Sequence, residues 1–456
     1  MSDYMFMLES HLSPEQNQVI ALVTAAAEHA GVTAFLTGGA MRDMMAGFPI
    51  RNLDFSVEGN ALKLASALAA KKVARVKSQD DVRKAATVQF PSGVSVEIAM
   101  AQETRYGKPG TKPKVVPATI YEDLRGRDFT INSIALSLNP ASRGLILDPA
   151  NGLGDLERRD LRANNNYTLY DDPSRILRMW RLQARMSLTI EDRTMSQYRN
   201  VREAKLERKI SIRHLRDELR RMADEPNPGT LLETLDREGL LELFSESLCG
   251  SKFNQAGFTK FQHALQSIPF GIPFPMERVG LFLYVLTGKL NSREKTSVIQ
   301  HLGISKADVE SWQKLESKSK KLEQIIKSPK LKKASLIYRA LLPAAGEQIL
   351  FLYMFSAHRL VHDRIKNHLQ KYLVTAHEIP DRDLAHTGLE PGTPKFIKAK
   401  EDLINAHLDG RIRKPAPEEP PPPGQPQGGR PPGRPAGRPA GRPPGRPAGR
   451  TATARS

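Results

Sequence analysis

The chain changes character once, between Asn164 and Asp171, and that change limits its fold more than any other feature. Before it, helix-like and strand-like segments alternate. PEQNQVIALVTAAAEHAG has the spacing of a helix stopped by Gly31, and TAFLTGG reads as a buried strand running into a glycine turn. LDFSVEG is a second short strand, followed by an Ala/Leu/Lys-rich helix from Asn60 to Lys72. AATVQF, PSG and VSVEIAMA then carry the pattern of a hairpin around Pro91–Gly93. After Asp171 nearly everything to about Gly410 has helical periodicity, with few strand signals and no fixed-period repeat. A mixed pattern followed by a long helical one predicts an α/β or α+β head ending near Asn164, with α+β the class for the whole chain. Its head, 1–164, is a mixed sheet with flanking helices, and the remainder is all-helical.

A chain of 456 residues is expected to hold about two to four domains and can bury a large core unaided. Its single cysteine, Cys249, excludes an internal disulfide and a Cys-rich zinc site, which suits a reducing cytoplasm. The opening MSDYMFMLESHLSPEQ lacks a basic stretch followed by an apolar one. No segment approaches the roughly 20 apolar residues that span a bilayer. The expectation is a soluble, cytoplasmic protein with no membrane partner.

The formal net charge is +18, of which +8 lies from Arg411 onward and +10 in the body. A basic body with a basic tail fits a polyanionic partner, most simply nucleic acid, and equally a charge that serves solubility. From Pro415 the chain is low in complexity, with an arginine every four residues from Arg430 to Arg450. Such a segment cannot bury apolar surface and is expected to be disordered with polyproline II character. It could make salt-sensitive phosphate contacts or be an inert extension.

TGGAMRDMMAGFPIRNLDF carries the first strong chemical signal. Two glycines, Gly38 and Gly39, let a backbone approach a triphosphate, and N–H groups where a helix begins hold anionic oxygens. Alternate strand positions point one way, so carboxylates at the places of Asn52 and Asp54 would aim at shared metal ions. Phosphoryl transfer needs such clamps, being mostly positioning and charge neutralisation.

Four further segments follow: VSVEIAMAQETRYGKPGTKPKVVPATIYEDLRGRDFTINSIALSL, DPANGLGDLERRDLR, DDPSRILRMWRLQAR and DLAHTGLEPGTPKFIKAKEDLINAHLDGRI. In this order, from Phe35 to Ile412, the chain resembles class II nucleotidyltransferases of the DNA polymerase β-like superfamily. These are the tRNA CCA-adding enzymes and bacterial poly(A) polymerases. The resemblance implies a polymerase β-like head over 1–164 and a neck with a nucleotide-selecting helix over 165–235. An RNA-binding body and tail would cover 236–411, before the extension 412–456. It implies transfer of CMP or AMP from CTP or ATP to the 3′ end of a tRNA-like RNA, with Mg²⁺ as cofactor. By the same resemblance Gly38, Gly39 and Arg42 would hold the triphosphate, with Asp43 organising the turn. Asp54 and Glu97 would be catalytic carboxylates and metal ligands. Arg127 and Asp128 would engage the sugar, with Asn132 beside them. Asp172 and Arg175 would read the base edge. That role has its own logic, because residues three apart share a helix face and an acceptor beside a guanidinium fork can imitate a template base. Arg178 shares that face and would support triphosphate or RNA.

Three positions depart from the family pattern. Asn52 replaces the first catalytic carboxylate, and its neutral amide oxygen is a poorer ligand for a hard cation. The site would then work with Asp54, Glu97 and a neighbour such as Glu58. Gly126 replaces an arginine, although Arg125 lies one position earlier, and Gln102 replaces another. These departures keep open a second reading, a catalytically impaired RNA- or nucleotide-binding paralogue. A nucleotidyltransferase acting on a small molecule is a third, opposed by the basic charge and the long helical half. Simpler assignments also stand. Asp43 and Asp128 could cap helices or pair with Arg42 and Arg127, and Asp148, Pro149 and Gly152 read as a hinge-like turn. His358, His362, Asp363 and His368 fit a solvated helix face better than a metal site. Trp180, with Ile176 and Leu177, fits core better than a base-stacking platform. The product and the oligomeric state stay open.

Overall fold

A computed structural model of the protein describes residues 3–105, 107 and 114–411. The extension expected to be disordered, and most of the YGKPG segment, lie outside the described residues.

Helices α1 (Asp3–His11) and α2 (Pro14–Ala30) lead into the head. Helix α2 begins at a reciprocal Ser13–Gln16 capping box and stops where Gly31 adopts φ 65°. Then come β1 (Thr33–Thr37), α3 (Gly39–Met45), β2 (Leu53–Glu58), α4 (Ala61–Ala70), β3 (Arg75–Asp80), β4 (Ala85–Gln89) and β5 (Ser95–Met100). Strands β6 (Gln102–Arg105) and β7 (Lys114–Pro117) form a separate ribbon before α5 (Ile120–Arg125), β8 (Ala135–Ser137), β9 (Ile146–Leu147) and α6 (Gly152–Arg158). The main sheet has the order β3-β4-β5-β2-β1-β8-β9. Its neighbours are antiparallel except for β2 and β5, which run parallel.

Alternation along β2 decides which residues serve the core and which the site. Leu53, Phe55 and Val57 are buried in the apolar cluster with residues of α2 and α4, such as Val23 and Leu64. Asp54, Ser56 and Glu58 therefore point to the other face, where Phe35, Ile120 and Leu124 form a smaller cluster. The register sets Thr37 opposite Asp54 on one side and Glu97 opposite Asp54 on the other. The last residue before the glycine turn and the two acids thus share one edge.

The turn expected at Asp148, Pro149 and Gly152 is a helix cap: Gly152 N and Leu153 N donate to the Asp148 carboxylate at 2.7 and 2.9 Å. Gly152 has no room for a side chain, since a Cβ there would sit 2.2 Å from the Thr130 carbonyl oxygen. That contact seats α6 against the 3₁₀ turn Thr130–Asn132.

The helical half continues with α7 (Thr168–Asp171), α8 (Arg175–Met186), α9 (Asp192–Glu203), α10 (Ile212–Ala223) and α11 (Pro228–Arg237). Among the described residues, nine further α-helices lie between Gln255 and Leu408. A single short strand pairing, Asp160–Leu161 with Thr189–Ile190, interrupts the helical pattern. One apolar core runs from Phe129 through Trp180 and Phe282 to Leu369, so the last segment of the head packs with the neck. The boundary expected at 235/236 falls inside α11, and this core crosses it without a break. Trp180 is buried edge-to-face against Tyr198, as core. The histidine-rich face is not uniformly solvated. His368 is buried beside Tyr338, with burial holding its pKa down at about 4, and His362 stacks on Tyr353 at 4.5 Å. Among the described residues, no helix is long and apolar enough to cross a membrane.

Candidate active site

The Gly38–Gly39 turn needs glycine at its first position. Gly38 has φ 66°, and a Cβ there would meet Arg127 Nη1 at 3.0 Å. Gly39 opens α3, and a Cβ there would lie 3.6 Å from Arg42 Nη2 and 4.0 Å from Asp54 Oδ2. Turn, arginine and carboxylate therefore meet within one layer of atoms.

Burial and the facing Glu97 carboxylate push the Asp54 carboxyl up to about 6, against the pull of Arg127, Arg42 and Arg221. A buried acid set opposite a like charge behaves this way, and a divalent cation between the two would relieve the repulsion. Asn52 is exposed just before β2 and, by alternation, shares the Asp54 side. Two carboxylates and an amide oxygen make an all-oxygen donor set suited to a hard cation. Among the described residues, no three His, Cys, Asp or Glu side chains gather as a metal-ligand group. The expectation that Glu58 completes the set is corrected. Glu58 sits at the far end of β2, where it accepts from Thr33 Oγ1 at 2.8 Å and Ile120 N at 2.7 Å. Four strand residues, about 13 Å, separate it from Asp54. Glu97 has a partner that the sequence did not suggest: Arg83 Nη2 donates to it at 3.0 Å across a solvent-exposed contact.

The arginines are mostly tied down. Arg42 donates through Nε and Nη2 to Asp43 Oδ1, and through Nη1 to Asn132 Oδ1 at 2.6 Å. Its fork lies buried under the turn, not extended over it. Arg127 donates to the Asn132 carbonyl, Thr37, Ser56 and Asp123, fastening β1, β2 and α5 beneath Gly38. Asp43 does pair with Arg42. Asp128, however, takes Arg178 Nη1 at 2.5 Å, not Arg127, and accepts from Asn132 Nδ2 at 2.9 Å. Burial alone would raise the Asp128 carboxyl, but Arg178 and Arg175 hold it well below the usual carboxylate range.

Asp172 and Arg175 are close for a different reason from the one expected. Asp172 precedes α8 and does not lie on it. Its Oδ1 accepts from Ser174 N and Oγ, and its Oδ2 lies 3.8 Å from Arg175 Nε. Arg175 Nη1 donates to the Thr168 carbonyl at 3.2 Å. An Asx-type turn, not a shared helix face, sets the pair. Of the departures, Gly126 ends α5 and Arg125 is exposed on it. The Gln102 backbone N–H donates to Asp123 at 3.4 Å.

Helix α8 carries Arg175, Arg178, Arg181 and Arg185, and the last two were missed as site residues although their helical spacing was visible in RILRMWRLQAR. Arg185 Nη2 donates to Asp43 Oδ2 at 2.7 Å, and its Nε lies 3.8 Å from Glu225. Glu225 accepts from Arg181, which also donates to Glu218. Glu218 lies 3.8 Å from Arg178 and accepts from Arg221. From Arg178 the chain of contacts returns through Asp128 and Asn132 to Arg42, closing a circuit between head and neck. Burial opposes the charge of Glu218, yet Arg181, Arg178 and Arg221 hold its carboxyl at about 2.

A mixed sheet with an in-register acid pair at a double-glycine turn, closed by an arginine-bearing helix, defines a polymerase β-like nucleotidyltransferase head on a helical scaffold. Residues 34–162 match the poly A polymerase head domain model. An A-adding tRNA nucleotidyltransferase of Aquifex aeolicus is 28% identical over 74% of this chain and 40% of its own length. A CC-adding tRNA nucleotidyltransferase of Deinococcus radiodurans is 34% identical over 45% of this chain and 53% of its own. The solved structure of a CCA-adding enzyme in apo form II shares the fold, with TM-score 0.52, 24% identity, and 90% of this chain and 95% of that one covered. The chain thus carries a segment matching the poly A polymerase head domain and is similar to tRNA nucleotidyltransferases over part of their length. It spans about half or less of the length of the curated relatives it matches.

Proposed function

We propose that the protein transfers CMP or AMP from CTP or ATP to the 3′ hydroxyl of a tRNA-like RNA, releasing pyrophosphate. The observation that carries this reading is the in-register pairing of Asp54 with Glu97 beside the Gly38–Gly39 turn. Asp54 and Glu97, with Asn52 at the third place, would hold Mg²⁺, which when bound lowers the pKa of the attacking hydroxyl and neutralises the triphosphate. The side-chain-free turn brings backbone close to the phosphates. Arg42 and Arg127, anchored behind it, supply positive field from fixed positions, so little reorganisation is needed when charge develops. Asn132 and Asp128 brace the sugar side of the turn. Asp172 as acceptor and Arg175 as donor would read the base edge, and Arg178 ties that helix end to Asp128. The basic helical half would hold the RNA through phosphate and shape.

The test is incubation of purified protein with Mg²⁺, labelled CTP or ATP, and tRNA lacking its terminal CCA or ending in CC. Incorporation, and which nucleotide goes in, supports the reading and names the product. Retained tRNA binding with no incorporation of either nucleotide overturns it. A binding paralogue is then the better reading, and Asn52 together with the Arg83 contact on Glu97 favours it. Recovery of incorporation in Asn52→Asp would place the defect at the missing carboxylate.

A further inference from the structure

Several residues of the circuit between head and neck, Arg185 and Glu225 among them, touch neither the glycine turn's backbone nor the base-reading pair. We propose that Arg185, braced by Glu225, is a positioning residue for the nucleotide, setting the Gly38–Arg42 turn against the base-reading end of α8. This rests on the nucleotidyltransferase reading above and deepens it.

One rigid helix carries both ends of the device. Arg175 stands at the first turn of α8 and Arg185 at its last, about 15 Å apart along the axis. At the far end a single carboxylate is divided between turn and helix. Asp43 Oδ1 takes Arg42 at 3.0 and 2.8 Å, while Asp43 Oδ2 takes Arg185 at 2.7 Å. At the near end Arg178 grips Asp128, and Asn132 links Asp128 back to Arg42 Nη1. Helix α8 therefore holds the head at two points, one on either side of Arg42, and two points set its rotation where one would leave a pivot. Arg42 is the cation beneath Gly39 and near Asp54, so its pose decides where charge is presented to a triphosphate.

The surroundings of Arg185 leave little slack. Its side chain is 5% exposed, and its guanidinium lies 5.8 Å from the centre of the Phe48 ring. Arg42 shares Asp43 with it, and Arg51 reaches the same Glu225 oxygen at 3.6 Å. The loosest joint is Arg185–Glu225, 3.8 Å apart beside a void of about 10 Å³ that Arg181 also lines. Without Arg185 the Asp43 carboxylate loses its second anchor, and Arg42 can turn with it.

The experiment compares wild type, Arg185→Lys and Glu225→Gln as full-length proteins, each first shown to melt cooperatively. CTP and ATP binding is measured by calorimetry, and steady-state kinetics give KM for nucleotide, KM for tRNA, and kcat. Arg185→Lys keeps the charge but loses the fork, so nucleotide Kd and KM should rise roughly tenfold, while KM for tRNA stays within about twofold. Glu225→Gln keeps the shape of the brace and should shift nucleotide affinity the same way, by roughly threefold. If Arg185→Lys does not fold, Glu225→Gln carries the test alone. Asp43→Asn combined with Arg185→Lys should weaken binding no more than the worse single change, because both act on one joint. Unchanged nucleotide affinity in a folded variant overturns the inference, as does an equal fall in every parameter. A wild type that binds neither CTP nor ATP overturns the nucleotidyltransferase reading itself, and this inference with it.

Discussion

The two walls of the site are built on opposite principles. The acid edge, Asp54 and Glu97, is partly open to solvent and destabilised by its own like charges. The arginine wall of α8 is closed by two buried acids of the neck, Glu218 and Glu225, each of which meets three cations. Acids held by one exposed arginine, as Glu97 is by Arg83, or by no ion pair among the described residues, as Asp54 is, are available to a ligand. Acids satisfied by three arginines are available only to the fold. The difference separates what the molecule holds for chemistry from what it holds for shape.

The largest expected effect falls on the closed wall. Glu218→Ala takes from the buried Arg181 one of its two acids, and removes a partner of Arg178 and Arg221; it should cost about 3 kcal/mol of unfolding free energy, read from urea denaturation. A loss below about 1 kcal/mol would mean that packing, not pairing, holds α8 to α10.

The walls should also respond to pH in opposite directions. Asp54 keeps its proton up to about 6 in the folded chain, against an ordinary value of 3.8. Its contribution is therefore greatest below about pH 4 and is lost as pH rises through 6, by at most about 3 kcal/mol, less because the group is partly open to solvent. Glu218 is held at about 2 against 4.5, so its contribution is present above pH 4.5 and lost as pH falls toward 2. Asp54→Asn should remove the decline between pH 4 and 6 and leave the acid limb intact. A profile unchanged by that substitution would show that Asp54 is not the group responsible.

At the open edge Asn52→Asp restores a third acid. Magnesium uptake in the presence of CTP, followed by calorimetry, should tighten by about tenfold or more. Unchanged affinity would place residue 52 off the face it shares with Asp54. The smallest effect is expected at Glu58→Gln, which weakens a cap on α5 and should cost about 1 kcal/mol, with nucleotide incorporation unchanged. A collapse of incorporation there would return Glu58 to the metal edge.

Much of the architecture was legible in the residue order. The Gly31 stop, the Pro91–Gly93 hairpin, the strand into Gly38–Gly39 and the switch to helix after Asp171 are all present. Each depends on caps, turns or periodicity acting over a few residues, and such forces are written locally. The same alternation that buries Leu53, Phe55 and Val57 turns Asp54 toward the site, so that orientation was also readable.

Partner choice was not. Asp128 could pair with its neighbour Arg127 and instead takes Arg178; Asp43 shares itself with Arg185, 142 residues away; Glu58, an acid on the right strand, was taken by a helix cap. Asp172 reached Arg175 through a turn that the helical spacing did not announce. A buried charge is costly unless paired, so every such acid must find a cation, but which one depends on what the packed core carries to within a few ångströms. Local propensity acts over one turn of chain, whereas desolvation acts on whatever is enclosed together. The sequence alone therefore determined the elements and the faces of the site, and the tertiary structure alone decided which charges were left free to meet a ligand.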